Sequence, residues 1–171
     1  KSQYFDLSAG ALLTHIFENK NKINIGLSMY HLTQPSYSFY NNNEHLNMRI
    51  NTHIDATIQL KDKLITLHPS ALFMSQGINK LTQVGTALKY NIGNTCRYTG
   101  FSKSSSIMTG VYYRHLDAIL IYTQFNYQKN IDIGISYDIN ISKLHNASKS
   151  YGAFEVTLMY VFLKNTFIKL K

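Results

Sequence analysis

From residue 49 to residue 60 the chain alternates without an error. Ile50, Thr52, Ile54, Ala56, Ile58 and Leu60 fall on one side, and Arg49, Asn51, His53, Asp55, Thr57 and Gln59 on the other. Successive side chains of a strand point to opposite faces, whereas a helix needs its apolar residues three and four apart. Such a run leaves little room for a helix and predicts a strand with one apolar and one polar face. The same period recurs over residues 4–14, 23–32, 83–92, 118–127, 131–138 and 153–162. In the last pair, Ile131, Ile133, Ile135 and Tyr137 oppose Asp132, Gly134, Ser136 and Asp138, and Phe154, Val156, Leu158, Tyr160 and Phe162 oppose Ala153, Glu155, Thr157, Met159 and Val161. A short strand is expected at 107–113. Residues 64–76 also read as extended, followed by a short loop at 77–82, and Pro69 in that strand predicts an edge position or a bulge that bends it, because proline cannot donate to a ladder. That makes about nine strands joined by hairpin-length turns and by long polar loops at 33–46, 93–106 and 139–152. The expected fold class is all-β, a single antiparallel domain over residues 1–171.

Composition narrows the setting. Charged residues are 15% of the 171, well below the quarter or so usual in soluble domains, while aromatics reach 13% as 13 Tyr and 9 Phe. A mean hydropathy of −0.17 excludes a helical membrane protein but not a membrane barrel, where lipid-facing and lumen-facing residues average out. The single cysteine, Cys96, excludes an intrachain disulfide and a cysteine-based zinc site. The net charge of +8 raises a nucleic-acid reading. However, Lys20, Lys22, Lys61, Lys63 and Lys129 sit at scattered turns with no basic stripe, so no nucleic-acid partner is expected.

Alternation fits two architectures. A soluble lipocalin-like barrel holds its apolar rows inside around a greasy ligand; a transmembrane β-barrel turns them to lipid around a polar lumen. Strands of roughly nine to twelve residues match a tilted bilayer crossing. Phe154, Tyr160 and Phe162 are placed as an interfacial girdle would be, and the polar faces carry Gly, Asn, Ser, Asp and Arg in place of a Lys/Glu surface. If the C-terminus is periplasmic, the short turns at 18–22, 61–63 and 128–130 fall on the periplasmic side. The loops at 33–46 and 139–152 then fall outside, and the long loop at 93–106 runs against the trend. An odd number of strands does not close a bacterial barrel, so the chain is expected to lack upstream N-terminal strands. No apolar run reaches the length of a transmembrane helix, and no signal peptide is visible.

The segments YFDLSAGALL (4–13), IGLSMYHLTQPSYSF (25–39), HPSALFMSQG (68–77), GVYYRHLDAI (110–119), GISYDINISKL (134–144) and GAFEVTLMY (152–160) follow one another in an order and spacing that resemble the PorP/SprF family. These are outer-membrane proteins of the type IX secretion system in Bacteroidota. Family members are longer, so the chain is similar to their C-terminal part; the tail at 163–171 departs from the short Cys-Pro-containing ending frequent among them. The resemblance implies an outer-membrane barrel that acts with other secretion components on secreted surface and gliding adhesins. It implies no enzymatic activity and no cofactor.

Candidate site residues follow from placement. Arg49, His53, Asp55, Asp138 and Glu155 share the polar parity and are expected in the lumen, pairing across strands and fixing register. Arg114 and Asp117 flank a tight turn and are expected to form a local ion pair. His31, His45, His53, His68 and His115 are spread over different strands and loops without zinc-motif spacing, so no metal is expected. Asn51, His53 and Asp55 invite comparison with a barrel lipase, but no serine is marked as nucleophile, and a hydrogen-bonded lumen network is the expected role. Gln34, Pro35, Tyr37 and Phe39 open the longest outer loop. Loops on a rigid scaffold are where partners bind, and this loop and the one at 139–152 are the expected contact surfaces.

Overall fold

A computed structural model describes residues 4–17, 21–36, 45–60, 64–92, 105–128, 130–142 and 152–162. They form nine strands and, among the described residues, no helix. The strands are β1 (Ala9–Ile16), β2 (Lys22–Tyr30), β3 (Arg49–Gln59), β4 (Ile65–Gln76), β5 (Asn79–Ile92), β6 (Ser105–Arg114), β7 (Ala118–Tyr127), β8 (Ile131–Asn140) and β9 (Phe154–Tyr160). Each pairs antiparallel with its neighbour in sequence, so the whole is one meander in the order β1 to β9.

Register then decides which side chains share a face. Ile25 of β2 faces Ile54 of β3, which faces Ala71 of β4, Val84 of β5, Tyr113 of β6 and Ile119 of β7 in turn. Every apolar row predicted from the alternation falls on this one face. The charged residues fall on the other. Among the nine strands Lys22, Arg49, Asp55, Lys89, Arg114, Asp132, Asp138 and Glu155 share the polar face, and Lys80, beside the β4–β5 turn, is the one exception.

The apolar face is the exposed one. On the interior strands Leu88 is 51% exposed and Val111 and Ile135 are each 50%, whereas Ala87 on the polar face is 1% and Thr66 and Ser106 are 6%. Along β5 the exposure alternates residue by residue, with Val84, Leu88, Tyr90 and Ile92 open and Gln83, Gly85, Ala87, Lys89 and Asn91 sheltered. A soluble sandwich or carrier would show the opposite sign. No large side chain is fully buried among the described residues, so there is no hydrophobic core. A sheet that bends toward its polar face crowds those side chains and splays the others. Small residues, Gly26, Ala87, Gly110 and Ala118, accordingly occupy the most buried places.

Aromatic residues cluster at both ends of the apolar face. At the end of the 128–130 turn stand His15 against Phe17, Phe125 against Tyr127, and Tyr160 against Phe162, at centroid distances of 4.6, 6.4 and 4.6 Å. At the other end Tyr113 packs against His115 at 6.2 Å, beside the β6–β7 turn. The rows between these ends are Ile, Val, Leu, Thr and Ala in most places.

Several boundaries differ from expectation. Residues 77–82 are not a loop: Gly77 and Ile78 make a two-residue turn, and β5 starts at Asn79. The polar Asn79–Thr82 stretch hid this, but its ladder to Phe73–Gln76 continues the hairpin beyond the apolar rows. Gly77 sits at φ +57°, and a Cβ there would lie 2.7 Å from Asn47 Nδ2, so glycine is required. Pro69 is neither at an edge nor in a bulge. Its ladder to β5 is unbroken, and only the pairing with Ala56 and Thr57 of β3 lapses, with the same register on either side. The missing N–H therefore costs one local gap on the β3 side, which an interior strand tolerates. The first strand starts at Ala9 rather than at residue 4, and the last is the seven-residue Phe154–Tyr160. Single bonds from Asp138 N to Ala153 O and from Val161 N to Asn130 O lengthen the latter's pairing at each end.

The sheet does not close. Among the described residues β1 pairs with β2 alone and β9 with β8 alone. Eight antiparallel steps separate the two edges, so β1 and β9 run in the same direction and are not antiparallel partners for each other.

Candidate functional site

The sheltered polar face is the candidate site, and two of its hydrogen-bonded clusters are built on aspartates. Thr14 Oγ1 donates to Asn24 Oδ1 at 2.9 Å, and Asn24 Nδ2 donates to Asp55 Oδ2 at 2.7 Å, which links β1, β2 and β3 in register. On the far side Asp132 Oδ1 accepts from Gln124 Nε2 at 3.0 Å and from Asn126 Nδ2 at 2.7 Å, joining β7 to β8. Carboxylates held by amides of the next strand fix register, because a one-residue slip would turn the donor to the opposite face.

Three glycines receive rings from the strand opposite. Gly26 faces His53, Gly85 faces Tyr112 and Gly110 faces Tyr122 in the ladders. A Cβ on Gly26 would collide with His53 Cε1, one on Gly85 would lie 2.5 Å from Tyr112 Cδ1, and one on Gly110 would collide with Tyr122 Cε1. Tyr112 and Tyr122 stack on each other at 5.8 Å. The rings thus lie flat along the wall over bare backbone, as aromatic rescue of strand glycines requires. Sequence reasoning missed these pairs. The signal present was that Gly26, Gly85, Gly110 and Gly134 all share the polar parity, but the partner of each needed the register.

The expected lumen residues fall as follows. Arg49 lies opposite Tyr30 with its Cζ 4.5 Å from the ring centroid, a cation–π contact across β2 and β3. His53 covers Gly26, and Asp55 is engaged by Asn24; no hydrogen bond joins His53 to Asp55 among the described residues, so no relay geometry is present there. Arg114 Nη1 donates to Asp117 Oδ2 at 3.1 Å across the turn and also to Asp138 Oδ2 at 3.4 Å, which ties the turn to β8. Glu155 stands opposite Ser136 on the exposed edge strand. The histidines remain dispersed: His31 Nδ1 meets Asp6 Oδ2 at 2.6 Å and His45 Nδ1 lies 3.2 Å from Gln34 O.

Of the expected contact loop, Gln34 is exposed with φ 43°, and Pro35 is buried. Leu46 N donates to Pro35 O at 2.9 Å, and Ser36 bridges to His45, so the stem of this loop is an extension of the β2–β3 hairpin. Tyr37 and Phe39 lie outside the described residues, as do Cys96 and most of the 139–152 loop.

One face of this sheet is apolar and exposed and the other is polar and hydrogen-bonded, and the segments quoted above as family-like map onto β1, β2, β4, β6, β8 and β9. The family model described as "Type IX secretion system membrane protein PorP/SprF" matches residues 1–160. Searches of curated proteins and of solved structures returned no match. The resemblance read from the sequence is borne out: the chain belongs to the PorP/SprF family of type IX secretion system membrane proteins.

Proposed function

We propose that this protein is an outer-membrane β-barrel and a non-catalytic component of the type IX secretion system, supporting the secretion or surface retention of adhesins and gliding proteins. The observation that carries the barrel reading is the inverted exposure: apolar rows outward, polar rows sheltered, with one outward charge at the rim. Lipid is the solvent that favours such a face, since its burial there gains roughly 25 cal/mol per Å² of apolar surface removed from water. A soluble lipocalin-like carrier needs the opposite sign, so the exposure argues against it.

In this reading further strands close the open edges. Because β1 and β9 run the same way, an antiparallel closure takes an odd number of them. The same parity disfavours closure by a second copy in the same membrane orientation, since that would set β9 parallel to β1. In this reading the turns at 18–22, 61–63 and 128–130 face the periplasm, and the 33–46 and 139–152 loops, with Gln34, Pro35, Tyr37 and Phe39, meet other secretion components or cargo. Asp55, Asp138, Glu155, Arg49, His53, Arg114 and Asp117 line or rim the lumen.

Two measurements test the proposal. The protein should fractionate with outer membranes, need detergent for solubility and migrate differently on a denaturing gel before and after heating. Deleting its gene should remove type IX cargo from the cell surface while leaving unrelated outer-membrane proteins in place. A water-soluble, heat-unmodifiable monomer would overturn the barrel reading, and normal surface cargo in the deletion strain would overturn the secretion role.

A further inference from the structure

Two lysines on the polar wall flank a histidine. Lys22 of β2 stands opposite Thr57 of β3, whose Oγ1 lies 3.4 Å from His68 Nδ1 on β4. Lys89 of β5 stands opposite the buried Thr66, two residues along β4 from His68. Adjacent strands are about 4.8 Å apart and successive residues about 3.4 Å, so His68 lies roughly 8–10 Å from the backbone of each lysine, and the lysines, about 16 Å apart, reach toward it from either side. Neither lysine forms an ion pair among the described residues. The carboxylate of Asp55, two residues along β3 from Thr57, is engaged by Asn24. His68 Nε2 is buried and has no hydrogen-bond partner. The floor of the patch is Ala87, opposite His68 and 1% exposed, so its methyl lies covered by the side chains around it.

We propose that Lys22, His68 and Lys89 form an oxyanion-binding site on the polar wall, taking a carboxylate or phosphate group from a ligand in the lumen. Two ammonium groups supply charge, and with the Thr57 hydroxyl donating to His68 Nδ1, the ring N–H at Nε2 supplies the directed hydrogen bond. The uneven charge of the wall favours the same ligand. On β2 to β5 the polar face carries Lys22, Arg49 and Lys89 against Asp55, and on β6 to β9 it carries Arg114 against Asp132, Asp138 and Glu155. An anion is therefore drawn to the β2–β5 side and repelled by the other.

The inference rests on the lumen reading of the polar face, and one sample tests both. The full chain in detergent is titrated calorimetrically at low salt, with inorganic phosphate in one arm and a glutamate hexapeptide in the other. Saturable binding of at least one probe, weakened by salt, is expected, and the better probe tells phosphate from carboxylate. Lys22→Gln and Lys89→Gln should each weaken it roughly tenfold, as loss of a charge-assisted hydrogen bond does. His68→Gln should weaken it less, and Lys80→Gln, on the opposite face, should leave it unchanged. No saturable binding to either probe, or equal loss in Lys80→Gln, would overturn the site. Heat-modifiable migration of the same sample reports the barrel separately, so a folded barrel that binds neither probe fells the site alone.

Discussion

Placing a charge in the middle of the apolar face is the sharpest test of which solvent that face meets. Ile135 is the position to change. Its row runs Leu88, Thr109, Thr123, Ile135 and Val156 across β5 to β9. Along β7 this row is centred between Tyr127 at one end and Ile119, the ladder partner of Tyr113, at the other. The spacing is about 14 Å to each side at 3.4 Å per residue, or roughly 10 Å in depth for a strand tilted near 40°. Ile135 thus sits at the proposed midplane, and Ile135→Arg should cost about 2–4 kcal/mol, the value for a basic residue at that depth. Ser136→Arg, one residue on, turns to the lumen and should cost less than about 1 kcal/mol. Lys80 shows why the natural sequence keeps one outward charge. It lies eight residues along β5 from Leu88, roughly 21 Å in depth from the midplane and outside the ~15 Å half-thickness of the hydrocarbon. The assay is denaturant-dependent unfolding of the membrane-inserted protein, followed by heat-modifiable migration. Equal costs for Ile135→Arg and Ser136→Arg would refute a lipid-facing row, and a larger cost for Ser136→Arg would reverse the sidedness.

Three further outcomes follow from the polar wall and its turns. Gly110→Val should destabilise by about 2–3 kcal/mol through collision with Tyr122, and Tyr122→Ala should recover part of that loss; a double variant with purely additive effects would refute the contact. Gly77→Ala should cost about 1–2 kcal/mol in thermal unfolding, since it combines a left-handed backbone with crowding by Asn47; a neutral result would refute the turn geometry. Asn24→Leu should cost about 1–3 kcal/mol by stranding both Thr14 and Asp55, more than Asp117→Asn, which removes only a half-exposed ion pair worth less than about 1 kcal/mol.

The strands were legible in the sequence because their signal is local. A period of two needs only neighbours along the chain, so Ile50–Gln59, Ala118–Tyr127 and Ile131–Tyr137 were placed with their faces correctly assigned. Where polarity stops reporting burial, the boundaries slipped. Asn79–Thr82 puts Lys80 and Thr82 on the parity of the apolar row and Leu81 on the polar one, so the alternation fails there and it read as loop. Pro69 read as an edge because the sequence does not tell which neighbour would have received its missing N–H. The Arg114–Asp117 contact was visible, being three residues apart, but the second bond from Arg114 to Asp138 spans 24 residues and was not.

By itself, then, the sequence determined a meander of amphipathic strands with every apolar row on one face, and it carried the family's segments in order. It did not determine the sign of that face, because alternation is the same whether the apolar side looks inward or outward. Only the tertiary structure decided it, by sheltering Ala87, Thr66 and Gly110 on the polar wall and leaving Leu88, Val111 and Ile135 open. It also decided which residues meet. Rings over glycines, amides on carboxylates and the Lys22–His68–Lys89 patch are cross-strand relations, fixed by register, and register is a property of the sheet rather than of any strand within it.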